Sequence, residues 1–157
     1  MPDWFVVNAR EAHWYHHDAF GDFCIFESKE DRFAQLGINL GLLYPGKPNC
    51  MYHREGAQED FLVLRGECLL IVEGEERRLK AWDFFHCPPG TDHVFVGVGD
   101  EPCLMLAVGA RPDDPLFYPV NDVARKYGAA VGTETDSPEV AYEPYGPSTP
   151  SGVPEAF

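Results

Sequence analysis

His53, Glu59 and His93 are the side chains whose types and spacing promise chemistry; His93 closes the run Pro88-Pro89-Gly90-Thr91-Asp92-His93, about thirty residues after Glu59. Imidazole nitrogens and carboxylate oxygens are the donors a divalent cation takes when one coordination position stays open for substrate. Each of the three sits on or beside a stretch that reads as β-strand. Side chains alternate between faces along a strand. Met51, His53 and Glu55 therefore share one face, and Glu59, Phe61 and Val63 share a face on the next strand. Phe61 and Val63 are core residues by type, which turns Glu59 inward with them. His93 and Phe95 repeat the arrangement on a later strand. A charge that faces a core is costly unless it is paired or metal-bound. If the three groups converge, the protein is a metal-binding barrel with a small-molecule pocket. The residues alone also allow an exposed His53–Glu55 pair, a solvated turn carboxylate at Glu59 and an unpartnered His93.

The elements that must position these groups are short and apolar. Candidate strands cover 4–8, 23–26, 33–44, 61–64, 67–72, 77–80, 83–87, 93–98 and 103–108, punctuated by Pro45-Gly46, Glu73-Gly74-Glu75, Pro89-Gly90 and Gly99-Asp100. Strands this short and regular predict an all-β sandwich or barrel. Glu73-Gly74-Glu75 predicts a tight hairpin. Leu69 to Val72 is apolar on both faces, which predicts a central or interface strand. Gly37 and Gly41 within 33–44 mark bends or bulges of the kind barrel closure needs. After Arg111 the composition shifts: Pro112, Pro115 and Pro119 break the chain, Asn121 caps one short helix over 122–127, and Gly128 stops it. Residues 129–157 are proline-rich with few aliphatics and cannot form a core of their own. They are either disordered or laid along a surface, that of a second subunit included.

Bulk properties narrow the function classes. The 157 residues suggest one domain, and 45% hydrophobic with 13% aromatic residues is enough for a real core. The net charge of −14 repels phosphate backbones and anionic lipid, so neither nucleic acid nor membrane is an expected partner. No apolar run approaches the roughly 20 residues of a membrane helix. The N-terminus, Met1-Pro2-Asp3-Trp4, lacks the features of a secretory signal, and a cytoplasmic location is expected. Cys24, Cys50, Cys68, Cys87 and Cys103 are odd in number and scattered, which fits reduced thiols. His13, His16 and His17 lie in an aromatic segment read as surface. His86 and Cys87 face opposite ways, so only one of them looks into a barrel.

The order of the pieces resembles the cupin superfamily. Its first motif places a His-any-His pair before a Glu and, six residues on, a Gly. Its second runs Gly, five residues, Pro-any-Gly, two residues, His, three residues, Asn. Here six residues separate Glu59 from Gly66, and Pro88 to His93 matches the heart of the second motif. The flanks 61–67 and 81–83 are similar as well, and the resemblance covers roughly residues 33–110. The departures are specific. Glu55 stands in for the second histidine if His53 is the first, or Met51 for the first if His53 is the second; the spacing favours the former. Trp82 occupies a Gly position and Gly97 an Asn position. Trp82 is expected to change its turn.

The resemblance implies an all-β, double-stranded β-helix (jelly-roll) barrel with a short C-terminal helix and an extended Pro-rich tail. It divides the chain into an N-terminal arm and strands (1–32), a barrel core (33–110) and a C-terminal helix and tail (111–157), and it implies a homodimer. It carries the metal roles to His53, Glu59 and His93, and to Glu55 by substitution. Two histidines and one carboxylate suit non-haem iron, and Glu55 would add an oxygen donor. Iron or manganese is favoured; zinc and nickel are the other options. Glu55, if not a ligand, is the expected general base. The function implied is a metalloenzyme of oxygenase or isomerase type acting on a small polar organic molecule. The alternatives are a non-catalytic binding barrel, with or without metal, and an interaction protein that works through its arms.

Overall fold

The computed structural model describes residues 4–111 and 115–157; residues 1–3, and the chain break expected at Pro112, lie outside the described residues. Among the described residues ten strands form two sheets. β1 (His13–His17), β2 (Gly21–Ile25), β3 (Leu36–Leu43), β4 (Glu59–Arg65), β7 (Phe84–Cys87), β9 (Cys103–Ala110) and β10 (Thr149–Ser151) build a seven-stranded sheet in the order β10-β1-β2-β3-β9-β4-β7. β5 (Glu67–Val72), β6 (Glu75–Lys80) and β8 (His93–Gly97) build a three-stranded sheet in the order β6-β5-β8. The segment 45–54 bridges to β8 at Pro45, Pro48 and His53, which extends the smaller sheet without forming a regular strand.

The alternation of side chains sets the inner lining. Leu43, Phe61, Val63, Cys68, Leu70, Cys87, Phe95, Cys103 and Met105 form the interior cluster between the sheets. Inward residues line up in rows across the large sheet. One row runs Ile25–Asn39–Ala107–Phe61–Phe85, and its neighbour runs Gly37–Gly109–Glu59–Cys87. Ala107 puts little mass into the first row and Gly109 into the second, and Ala107 lines an internal cavity.

β5 is the central strand of its sheet, which accounts for apolar residues on both faces. Cys68 and Leu70 enter the interior cluster, while Ile71 and Leu69 pack outside against Ala124, Ala129 and Val123. The β5–β6 hairpin has Glu73 and Gly74 both at positive φ, with Val72 opposite Glu75, so the connection is a two-residue type I′ turn. Trp82 sits at φ 74, the left-handed conformation a glycine takes without strain. Gly97 is required by close approach, since an added Cβ would lie 2.0 Å from the Tyr44 carbonyl oxygen.

Several expectations change. Residues 4–8 carry no strand; they lead into a 3-10 turn, Ala9–Glu11, capped by Asn8. The histidine-rich segment is strand β1, not a loose surface arm: His17 is buried against Phe20, and His16 donates to Asp22 at 2.6 Å. Met51 packs with Tyr118, Val131 and Ala141, and the His53 ring lies 5.9 Å from the same Tyr118. The tail lies on the chain's own barrel. β10 pairs with β1, and Val153, Ala156 and Phe157 cover the outer cluster of Trp14, Cys24, Leu40 and Leu42. Before it come two short helices, α1 (Asp122–Arg125) capped by Asn121 and α2 (Pro138–Tyr142) capped by Ser137 with proline at its start.

Candidate metal centre

His53 and His93 face each other across an antiparallel bridge. His53 N donates to His93 O at 3.1 Å and His93 N donates to His53 O at 2.8 Å. Directly opposed residues project to the same side, and the two imidazole centroids lie 4.8 Å apart. Glu59, the first residue of β4, enters from the other sheet. One donor atom from each of His53, Glu59 and His93 falls within 4.8 Å of the other two.

The tautomers follow from the hydrogen bonds on the far side of each ring. His53 Nδ1 donates to the Met51 carbonyl at 2.8 Å, and His93 Nδ1 donates to the Thr91 carbonyl at 3.1 Å. Both Nε2 atoms are therefore unprotonated in the neutral rings and turn their lone pairs to the site. Glu59 Oε2 lies 3.3 Å from His93 Nε2, yet it is buried without a hydrogen-bond partner. Two lone pairs and a carboxylate oxygen pointed at one another repel unless a cation sits between them. An orphaned buried acceptor costs on the order of 1–3 kcal/mol. The donor set thus fits a divalent ion.

Burial dominates the electrostatics. It raises the Glu59 carboxyl to about 7, helped by the neighbouring Glu55 carboxylate and opposed by His53. Burial lowers His93 to about 4, and a charge on His53 pushes the same way. For His53 burial works against the cation, but Cys50, Glu55 and Glu59 outweigh it and raise the ring above its ordinary value. Glu55 itself stands to one side: its Oε1 is 3.7 Å from His53 Nε2 and its side chain is 30% exposed. It is not one of the three groups that share the 4.8 Å cluster.

The centre opens on a cavity of about 220 Å³ whose wall includes Phe20, Phe23, Asn39, Cys50, Phe61 and Met105. Of the flanking pair on β7, Cys87 faces inward, 3.5 Å from His93 Nδ1, while His86 faces out and pairs with Asp60 at 2.6 Å. Sequence reasoning missed Asn39. Its signal was the alternation of the strand: Gly37, Asn39 and Gly41 share one face, with Arg111 packed over Gly37.

Comparisons with known proteins agree with this architecture. Residues 40–109 match the family model described as Cupin domain. A candidate sugar phosphate isomerase from Acidithiobacillus ferrooxidans is 29% identical over 53% of this chain with a TM-score of 0.51, and the match spans 55% of that protein's length. A sugar phosphate isomerase of the cupin superfamily from Silicibacter pomeroyi is 21% identical, covering 73% of this chain and 81% of its own, with a TM-score of 0.63. The polyketide cyclase RemF from Streptomyces resistomycificus is 15% identical, covering 72% and 83%, with a TM-score of 0.62. No curated protein matches the chain. Among the described residues no helix is long and apolar enough to cross a membrane. The two-sheet shell around the facing histidines is a double-stranded β-helix, and residues 40–109 within it are similar to the Cupin domain family.

Proposed function

We propose that the chain is a metal-dependent enzyme of oxygenase or isomerase type acting on a small polar organic molecule, with His53, Glu59 and His93 as the ligands of one iron or manganese ion. The observation that carries this is the inward pair of bare Nε2 atoms facing an orphaned carboxylate oxygen at the floor of a cavity. Such an ion supplies Lewis acidity or a dioxygen site. The chain's own groups do the rest. The Met51 and Thr91 carbonyls hold the imidazoles in the ligand tautomer. Phe61, stacked against Phe85 and tilted against Phe95, walls the site and keeps bulk water off the ligand oxygen. Glu55, partly exposed and 3.7 Å from His53 Nε2, would take or return a proton as general base.

The reading is tested by metal analysis of untagged protein. Close to one iron or manganese per chain is expected, falling below about a tenth in His93→Ala. Wild-type protein that retains no ion after reconstitution with either metal and gel filtration would overturn it. Metal retained together with tight ligand binding and no turnover would replace catalysis by the binding-barrel reading. The homodimer is part of the same proposal: Trp4, Phe5 and Val6 are 73%, 58% and 89% exposed, an apolar arm that a second copy would cover. Light scattering that gives a monomer mass at micromolar concentration removes it.

A further inference from the structure

The two histidines of the centre are placed by different means. His93 begins β8, and its ring is enclosed by the barrel core: the Phe61, Phe85 and Phe95 centroids lie 5.4, 6.1 and 6.2 Å from its own. His53 belongs to no strand, and its bridge to His93 fixes its backbone without fixing the turn of its ring. The ring is turned by the Met51 carbonyl, which accepts from Nδ1 at 2.8 Å.

That carbonyl belongs to the peptide between Met51 and Tyr52. A trans peptide is planar, with its N–H and C=O directed to opposite sides. The Tyr52 N–H of this plane donates to the Ala129 carbonyl at 2.6 Å, so the direction of the Met51 oxygen is set as well. The preceding peptide, between Cys50 and Met51, is held by a side chain: its N–H donates to the Tyr142 hydroxyl at 3.0 Å. The two clamped planes meet at the Met51 Cα, and the torsions there aim the carbonyl. Met51 is buried. A buried N–H that loses its acceptor is costly, so its peptide turns to find another.

Tyr142 is the last residue of α2. Its ring stands edge-on to Phe20 at 5.4 Å and to Tyr118 at 5.9 Å, and these ring contacts would survive in a phenylalanine. The hydroxyl adds the bond to Met51. Glu59 and His93 sit on β4 and β8, and neither is held through Met51. Loss of the hydroxyl would therefore misdirect one donor and leave the other two in place.

We infer that Tyr142 is a positioning residue of the metal centre: its hydroxyl holds the Met51 backbone, and the Met51 carbonyl in turn keeps His53 Nε2 directed at the ion. This rests on the metal-dependent reading above and adds to it a residue that is not itself a donor.

The test titrates chelator-stripped, untagged full-length protein with cobalt(II), a stand-in for iron or manganese whose visible absorption reports affinity and coordination geometry together. Wild type is expected to bind one cobalt per chain. Tyr142→Phe is expected to bind it at least about tenfold more weakly, the usual effect of removing a hydrogen bond that orients a ligand, and to show shifted visible bands at saturation. Trp14→Phe is the control for stability alone. It removes the Nε1 bond to the Ala9 carbonyl, 2.8 Å, in the outer cluster, and it should lower the melting temperature with an unchanged cobalt spectrum. Its cobalt affinity should stay within about twofold of wild type, because distant sites act independently. Wild-type affinity and spectrum in Tyr142→Phe, or an equal loss of affinity in Trp14→Phe, each overturns the inference. Wild type that binds no cobalt defeats the metal reading together with this one, whereas tight wild-type binding with an unaffected Tyr142→Phe defeats this one alone.

Discussion

Replacing Glu59 by Gln should stabilise the metal-free protein at alkaline pH while disabling the metal centre. Burial raises this carboxyl from 4.5 to about 7. At about 1.36 kcal/mol for each tenfold change in ionisation, keeping it charged at pH 8 costs the fold roughly 3 kcal/mol. The sign is fixed by linkage. A carboxyl that holds its proton more tightly when folded gives stability that is complete below pH 4.5 and is lost as pH rises toward 7. His93, lowered to about 4, works the other way, losing stability as pH falls from 6.5 toward 4. The two contributions offset each other between about pH 4.5 and 6.5. Above 6.5 Glu59 and the raised His53 remain, and both favour lower pH. Metal-free wild type should therefore lose melting temperature between pH 6.5 and 8, and Glu59→Gln should flatten that fall. For a chain of this size about 3 kcal/mol corresponds to roughly 6–12 °C between variant and wild type at pH 8. Scanning calorimetry of chelated protein at pH 5, 6.5 and 8 measures it. At pH 5, where the carboxyl is protonated, wild type and variant should melt within about 2 °C of each other. Loading with iron or manganese should restore the wild type at pH 8 and leave the variant unchanged. If Glu59→Gln melts lower than wild type at pH 8 without metal, the carboxylate already has a favourable partner in the fold and the electrostatic reasoning fails.

Trp82→Gly relieves a left-handed backbone at a side chain that is 73% exposed. The gain of about 1–2 kcal/mol is partly offset by the entropy of glycine in the unfolded chain, which leaves roughly 0.5–1 kcal/mol and a rise of about 1–4 °C in thermal melts; a lower melting point would show that the indole packs. Gly97→Ala places a methyl 2.0 Å from the Tyr44 carbonyl and should cost at least about 3 kcal/mol in urea denaturation or abolish soluble expression; a neutral result would mean that the Tyr44–Pro45 backbone moves freely.

The barrel was legible because its strands alternate. β5 matches the sequence reading residue for residue, since Cys68 and Leu70 on one face and Leu69 and Ile71 on the other leave no other placement for the strand. The three grouped donors were legible for the same reason at Glu59 and His93. His53 was legible only with the family pattern, because its segment is held by bridges and has no alternation to read. β1 escaped because His13, His16 and His17 look like surface residues, and only pairing with Gly21–Ile25 makes them a strand. The tail escaped because its order comes from a non-local template. Thr149 to Ser151 have no strand signal of their own and gain one from β1.

The stretch that carries His53 is tied down by the C-terminal half of the chain. Arg54 and Phe117 exchange backbone hydrogen bonds at 2.9 and 3.1 Å, the Tyr142 hydroxyl accepts from Met51 N at 3.0 Å, and Tyr52 N donates to the Ala129 carbonyl. Half of the imidazole pair thus takes its position from residues more than sixty places downstream and outside the matched family segment. Drift in that distant strap would re-aim a single nitrogen without touching any donor, a route by which closely similar barrels could come to prefer different ions or lose them.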